Sequence, residues 1–311
     1  MPACRPLARI ARSWPDGRRT RNRRRGSMIY PHKLLWLLAA LTAIPSIANP
    51  GGGASSAGTD YVAMGSSFAA GPGVTRSADQ PPNRCARSED NYAHLLARRM
   101  NLRLADVSCS AATTGHLLGP WNELPAQIDA VTADTRLVTI TVGGNDVGYI
   151  GALMSASCRT FATPPPGTPG GKCPVVSVPA DAWAKLEAAL RMIVVEIRRR
   201  SPRARIIFVD YLTVLPERGL CPATPLTAEH ADAGRATAKR LAALTARVAG
   251  ETGSDVIAMS ALSRHHDTCS AEPWMTGFPL PGGARFVPYH PNAQGMAAVA
   301  DALARRLDTP S

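Results

Sequence analysis

The chain has 311 residues, 45% of them hydrophobic, and 35 Lys+Arg against 23 Asp+Glu give a formal charge of +12. Residues 1–48 hold nine arginines, Lys33 and a single acid, Asp16, so +9 of that charge sits there and the remaining 263 residues carry only +3. A near-neutral body of this size can bury a substantial core, which excludes disorder for most of it and removes the charge argument for a nucleic-acid partner.

In chain order, the arginine-rich start leads through Lys33 to an apolar run, Leu34 to Ile44, followed by Pro45 and the small-residue step Ser46-Ile47-Ala48. Such a run is too short for the roughly 20 residues that span a bilayer, whereas a basic region, a short apolar stretch and a small-residue site form the pattern of an export signal. Residues 1–48 are therefore expected to be a basic region and signal peptide, either cleaved before Asn49 or retained as an anchor. Met28 is an alternative start, and Arg24-Arg25 leaves twin-arginine export open beside the general route. Export also fits the cysteines: without the leader six remain, Cys85, Cys109, Cys158, Cys173, Cys221 and Cys269. An even number suggests three disulfides; spacing does not choose among their pairings, and no CxxC suggests zinc.

Residues 49–58 read as a flexible Gly/Ser/Ala linker, and the domain is expected over 59–311. Strands are predicted at Tyr61–Met64, Leu102–Val107, Leu137–Val142, Arg205–Val209 and Asp255–Met259, where short β-branched and apolar runs recur. Helical patterns occupy Glu89–Met100, Glu123–Val131, Ala182–Arg200, Ala228–Gly250 and Asn292–Leu307. The alternation predicts an α/β fold with a mostly parallel sheet covered on both faces. Residues 158–180, with Pro164-Pro165-Pro166, and 263–288 break the rhythm and read as surface excursions.

In such a sheet ligands sit beyond the carboxyl ends of the strands, so the loops after each strand matter most. They read Gly65-Ser66-Ser67-Phe68-Ala69-Ala70-Gly71 after the first strand, Ser108 to Gly115 after the second, and Gly143-Gly144-Asn145-Asp146 after the third. Tyr289-His290-Pro291-Asn292 precedes the last helix. Singly each is weak, since a serine in a Gly-flanked turn is usually only a turn residue. Together and in this order they resemble the SGNH (GDSL-type) hydrolases, in their secreted bacterial esterase/lipase branch, over essentially the whole domain; Val142-Gly143-Gly144-Asn145-Asp146 is the most specific part.

The resemblance implies a flavodoxin-like α/β/α sandwich with a five-stranded parallel sheet. It also implies a serine esterase or lipase without metal or cofactor, acting as a monomer on small-molecule or lipid esters, with transient contact to membrane or cell envelope. Ser67 would be the nucleophile and His290 its base; the oxyanion would be held by the N–H groups of Ser67 and Gly115 and the side chain of Asn145. Ser66 stands where the family usually has Asp. Three residues before the histidine, where many members carry Asp, stands Val287, so its carbonyl is the expected acceptor at Nδ1, making a dyad; Asp267 is the alternative third member. Asp146 is expected to organise the turn around Asn145 by local hydrogen bonds. The pair His265 and His266 lacks further ligands at metal spacing, and Trp274 could line an acyl pocket or cover the core. Relatives with this cysteine pattern imply Cys85–Cys109, Cys158–Cys173 and Cys221–Cys269. Two other readings stay open: a carbohydrate O-deacetylase or acyltransferase on the same fold, and a non-catalytic binding protein.

Overall fold

The computed structural model describes residues 59–161, 163, 172–278 and 287–308. The basic leader, the linker, the Pro164-Pro165-Pro166 run and part of the 263–288 excursion lie outside the described residues.

The strands are β1 (Tyr61–Gly65), β2 (Leu104–Asp106), β3 (Leu137–Thr141), β4 (Arg205–Val209) and β5 (Asp255–Ile257). They form one parallel sheet in the order β2-β1-β3-β4-β5. Every residue of β1 and β3 is buried, as their unbroken apolar and β-branched composition requires of central strands covered on both faces. The helices are α1 (Ser67–Ala70), α2 (Tyr92–Met100), α3 (Thr114–Leu118), α4 (Tyr149–Cys158), α5 (Ala182–Arg200), α6 (Ala228–Glu251), α7 (Met259–Leu262) and α8 (Ala293–Asp308).

From β1 the chain crosses to β2 on one side, then returns past β1 to β3 and continues outward. Right-handed crossovers running in opposite directions put their helices on opposite faces. Accordingly α2 packs with α8, while α3 packs on α5, and α6 on both α4 and α5. This is the expected flavodoxin-like sandwich, and its strand order reverses beside β1, the position at which ligands sit at the carboxyl ends of such sheets.

One predicted helix is not formed, and one helix is unpredicted. Glu123–Val131 contains only a short 3-10 turn, Gln127–Ala130, because Pro125 lacks an N–H and drives Leu124 out of the α region. Conversely α4 falls in a stretch with no predicted element, because it has no amphipathic period: seven of its ten residues are buried. Among the described residues no helix is long and apolar enough to cross a membrane.

Candidate active site

Ser67 opens α1 directly after β1, and its placement depends on Gly65. Gly65 has φ 145°, and a Cβ there would lie 2.3 Å from the Thr141 carbonyl oxygen of the neighbouring strand, so only glycine lets the chain turn so close to β3. The Gln127 side chain grips the same residue at both ends, accepting from Gly65 N–H at 2.7 Å and donating to its carbonyl at 3.0 Å. Gly71, at φ 66°, closes α1 in the left-handed conformation.

His290 stands in the turn before α8. Its Nε2 lies 2.7 Å from Ser67 Oγ, and its Nδ1 lies 2.8 Å from the carbonyl oxygen of Pro288. A carbonyl only accepts, so Nδ1 carries the proton and Nε2 is left to accept from the serine hydroxyl. Ser67 is 9% and His290 5% exposed. Burial pushes the imidazole pKa down to about 4, while the Pro288 carbonyl pulls weakly the other way. The histidine that pairs with Ser67 is thus neutral at pH 7.

The acceptor at Nδ1 is the Pro288 carbonyl, which corrects the assignment to Val287. The Val287 carbonyl is occupied, accepting from Thr276 Oγ1 at 2.7 Å, and Tyr289, at φ 59°, turns the chain so that the carbonyl two residues before His290 meets its ring. Asp267 does not reach the histidine either; its carboxylate accepts from Cys269 N–H at 2.8 Å. Thr276, to which no sequence motif points, organises this loop. Its Oγ1 accepts from His290 N–H at 3.1 Å, and its own N–H donates to the His290 carbonyl at 2.8 Å.

The loops after β2 and β3 are tied to each other, and the first of them is tied to the nucleophile turn by Cys109 N–H, which donates to the Gly65 carbonyl at 3.0 Å. Asn145 Nδ2 donates to the Ala112 carbonyl at 2.9 Å, which orients the amide and leaves its second N–H for another acceptor. Asp146 bonds its own N–H and also reaches across to α3: its carboxylate accepts from Thr114 N–H at 3.1 Å and from Thr114 Oγ1. Burial raises its pKa, opposed by these donors. The N–H groups of Ser67 and Gly115 lie in the first turns of α1 and α3, where no carbonyl of the same helix can accept them.

The cysteine pairs Cys85–Cys109, Cys158–Cys173 and Cys221–Cys269 are joined. The ring of His266 stacks on Trp274 at 3.9 Å, with Nδ1 on the Glu272 carbonyl, and Trp274 packs against the core. No group of three or more His, Cys, Asp or Glu among the described residues could hold a metal ion.

The family model of the GDSL-like lipase/acylhydrolase family matches residues 63–298. The chain belongs to this family. It is 33% identical over 247 residues to Lipase 2 of Streptomyces coelicolor, covering 78% of this chain and 83% of that one. A lipase of Streptomyces rimosus is 29% identical over 240 residues, covering 77% and 83%. Among solved structures, the extracellular lipase of Streptomyces rimosus superposes with a TM-score of 0.61 at 26% identity, covering 79% of this chain and 99% of that one. Phospholipase A1 of Streptomyces albidoflavus superposes with a TM-score of 0.62 at 23% identity, covering 80% and 99%, and shares the fold. This family member is a carboxylic ester hydrolase of the lipase/esterase kind.

Proposed function

We propose that the protein is an exported serine esterase or lipase that works through a Ser67 acyl-enzyme. The observation that carries this reading is the chain of contacts Ser67 Oγ, His290 Nε2, His290 Nδ1, Pro288 carbonyl. The serine hydroxyl gives its proton to Nε2 as Oγ attacks the ester carbonyl carbon. The new imidazolium is steadied at Nδ1–H by the Pro288 carbonyl, so His290 and Ser67 act as a dyad with main-chain support instead of a side-chain carboxylate. The negative charge forming on the carbonyl oxygen is met by the N–H groups of Ser67 and Gly115 and the free N–H of Asn145. Collapse of this intermediate expels the alcohol with the proton from Nε2. Water, deprotonated by the same nitrogen, then attacks the acyl carbon, and the acid leaves as Oγ takes its proton back.

Export is supported by the leader pattern of residues 1–48 and by three disulfides, which persist in oxidising compartments. The related Streptomyces rimosus lipase is likewise described as extracellular.

The test uses the oxidised protein and Ser67→Ala on p-nitrophenyl esters from acetyl to palmitoyl, alongside a fluorophosphonate probe. Labelling and hydrolysis are expected in the parent and absent in the variant, with the preferred chain length separating lipase from short-acyl esterase. Hydrolysis that survives Ser67→Ala would sink the acyl-enzyme.

A further inference from the structure

Asn145 can serve an oxyanion only if the peptide that carries it is held still, and that peptide is anchored one residue earlier. Gly144 N–H donates to Tyr211 Oη at 2.8 Å, and the same oxygen lies 3.2 Å from Ser66 Oγ. Tyr211 follows β4, so a residue remote in sequence touches both the residue before Ser67 and the residue before Asn145. An amide N–H only donates; Tyr211 Oη therefore accepts from Gly144, and its own proton is available to Ser66 Oγ. Burial pushes the phenol up to about 12, so the hydroxyl stays neutral across the working pH range.

Packing fixes the ring as firmly as the hydrogen bonds fix its oxygen. It lies against Phe68, ring centroids 4.5 Å apart, and Phe68 in turn lies 5.1 Å from the His290 ring. A Cβ at Gly144 would stand 2.7 Å from Tyr211 Oη. Gly143 has φ 111° and Gly144 has no positive φ, so the first of the two adjacent glycines answers to backbone conformation and the second to the approach of the phenol.

We propose that Tyr211 is a positioning residue of the hydrolase, whose neutral hydroxyl clamps the nucleophile turn to the oxyanion loop and acts on the reaction through Ser67 and Asn145. Ser66, at the position where the family usually carries Asp, completes this clamp. The two hydroxyls join the two loops through a contact that carries no charge. The inference rests on the Ser67–His290 mechanism above.

Steady-state kinetics on p-nitrophenyl butyrate, with thermal unfolding in parallel, test it in Tyr211→Phe, Ser66→Ala, Ser67→Ala and, as a control for loss of a buried, hydrogen-bonded phenol hydroxyl, Tyr61→Phe, whose Oη lies 2.8 Å from Thr139 Oγ1. Tyr211→Phe is expected to lower kcat about ten- to a hundredfold with KM nearly unchanged, the scale of a small misplacement of reacting groups. The rate of fluorophosphonate labelling, which also builds a tetrahedral adduct, should fall in parallel. Ser66→Ala should show a smaller loss of the same kind, and Tyr61→Phe none. A kcat for Tyr211→Phe equal to the parent's, a loss confined to KM, or an equal loss in Tyr61→Phe overturns the proposal. If Tyr211→Phe does not fold, Ser66→Ala decides, because it keeps the ring: a lowered kcat supports the clamp and an unchanged kcat overturns it. Activity that survives Ser67→Ala removes the mechanism and the clamp together, whereas activity lost in Ser67→Ala but intact in Tyr211→Phe removes the clamp alone.

Discussion

A histidine shielded from water binds its proton less tightly, and this sets the pH behaviour of the proposed mechanism. His290 has its pKa lowered to about 4 by burial, and only the neutral ring can take the Ser67 proton. The profile of kcat/KM against pH should therefore rise through about pH 4 and be flat from about pH 5 upward, with no inflection near the ordinary histidine value of about 6.5. The same shift bears on stability. Because the folded pKa lies below the unfolded one, the unfolded chain binds more protons between the two values. This contribution to stability is fully present above about pH 6.5 and is lost as pH falls towards 4. An activity profile measured from pH 3.5 to 8 checks the first point; a step in kcat/KM near pH 6.5 would contradict the buried, carbonyl-supported ring. Ser67, His290, Gly115 and Asn145 could be nominated because four short motifs, taken together and in order, resemble those of the SGNH hydrolases. The acceptor at Nδ1 could not be read in this way. The choice between the Val287 and Pro288 carbonyls turns on the positive φ of Tyr289, a conformation that residue type alone does not announce.

At the scale of elements, the segment bearing His290 has no regular secondary structure and borrows its order from residues 274–276. Thr276 N–H and carbonyl pair with His290 and Tyr289, Met275 bridges Pro291, and Asn292 N–H donates to the Trp274 carbonyl at 2.9 Å. The Thr276 hydroxyl adds the link to His290 N–H. Thr276→Val keeps the shape but leaves that N–H and the Val287 carbonyl without the hydroxyl, so it should cost about 1–3 kcal/mol in urea unfolding and lower kcat, while Thr276→Ser should keep both near the parent values. A Val variant as stable and as active as the parent would show that the main-chain pairing suffices. All five strands are legible because short β-branched runs between turn residues suit a covered sheet and are too brief for a stable helix, and the long helices because of their period and caps. The Thr276 scaffold, Gln127 on Gly65 and Tyr211 on Gly144 are not. Each is a hydrogen bond between residues brought together only by the fold, and no local pattern records the pairing. The same limit hides the reach of Asp146 to Thr114, which spans 32 positions.

For the whole molecule, three cross-links hold excursions that the sheet does not order by itself. Their sequence separations are 24 for Cys85–Cys109, 15 for Cys158–Cys173 and 48 for Cys221–Cys269. If a disulfide acts mainly by shrinking the unfolded ensemble, these loops correspond to roughly 3.5, 3 and 4 kcal/mol. Paired Cys→Ser variants should accordingly lose stability most at Cys221–Cys269 and least at Cys158–Cys173. The Cys221–Cys269 pair also has a link to the chemistry. It joins a loop whose Ala223 carbonyl accepts from Phe278 N–H at 2.8 Å to a loop whose Thr268 hydroxyl donates to the Thr276 carbonyl at 3.4 Å. Opening it frees both sides of the scaffold that presents His290. Cys221→Ser/Cys269→Ser should therefore lose kcat at temperatures well below its unfolding midpoint, whereas Cys158→Ser/Cys173→Ser should lose activity only as it unfolds. Assaying each variant alongside its melting curve separates the two effects. If kcat of the Cys221 and Cys269 variant holds at the parent value until melting begins, the third disulfide stabilises the fold without ordering the histidine loop.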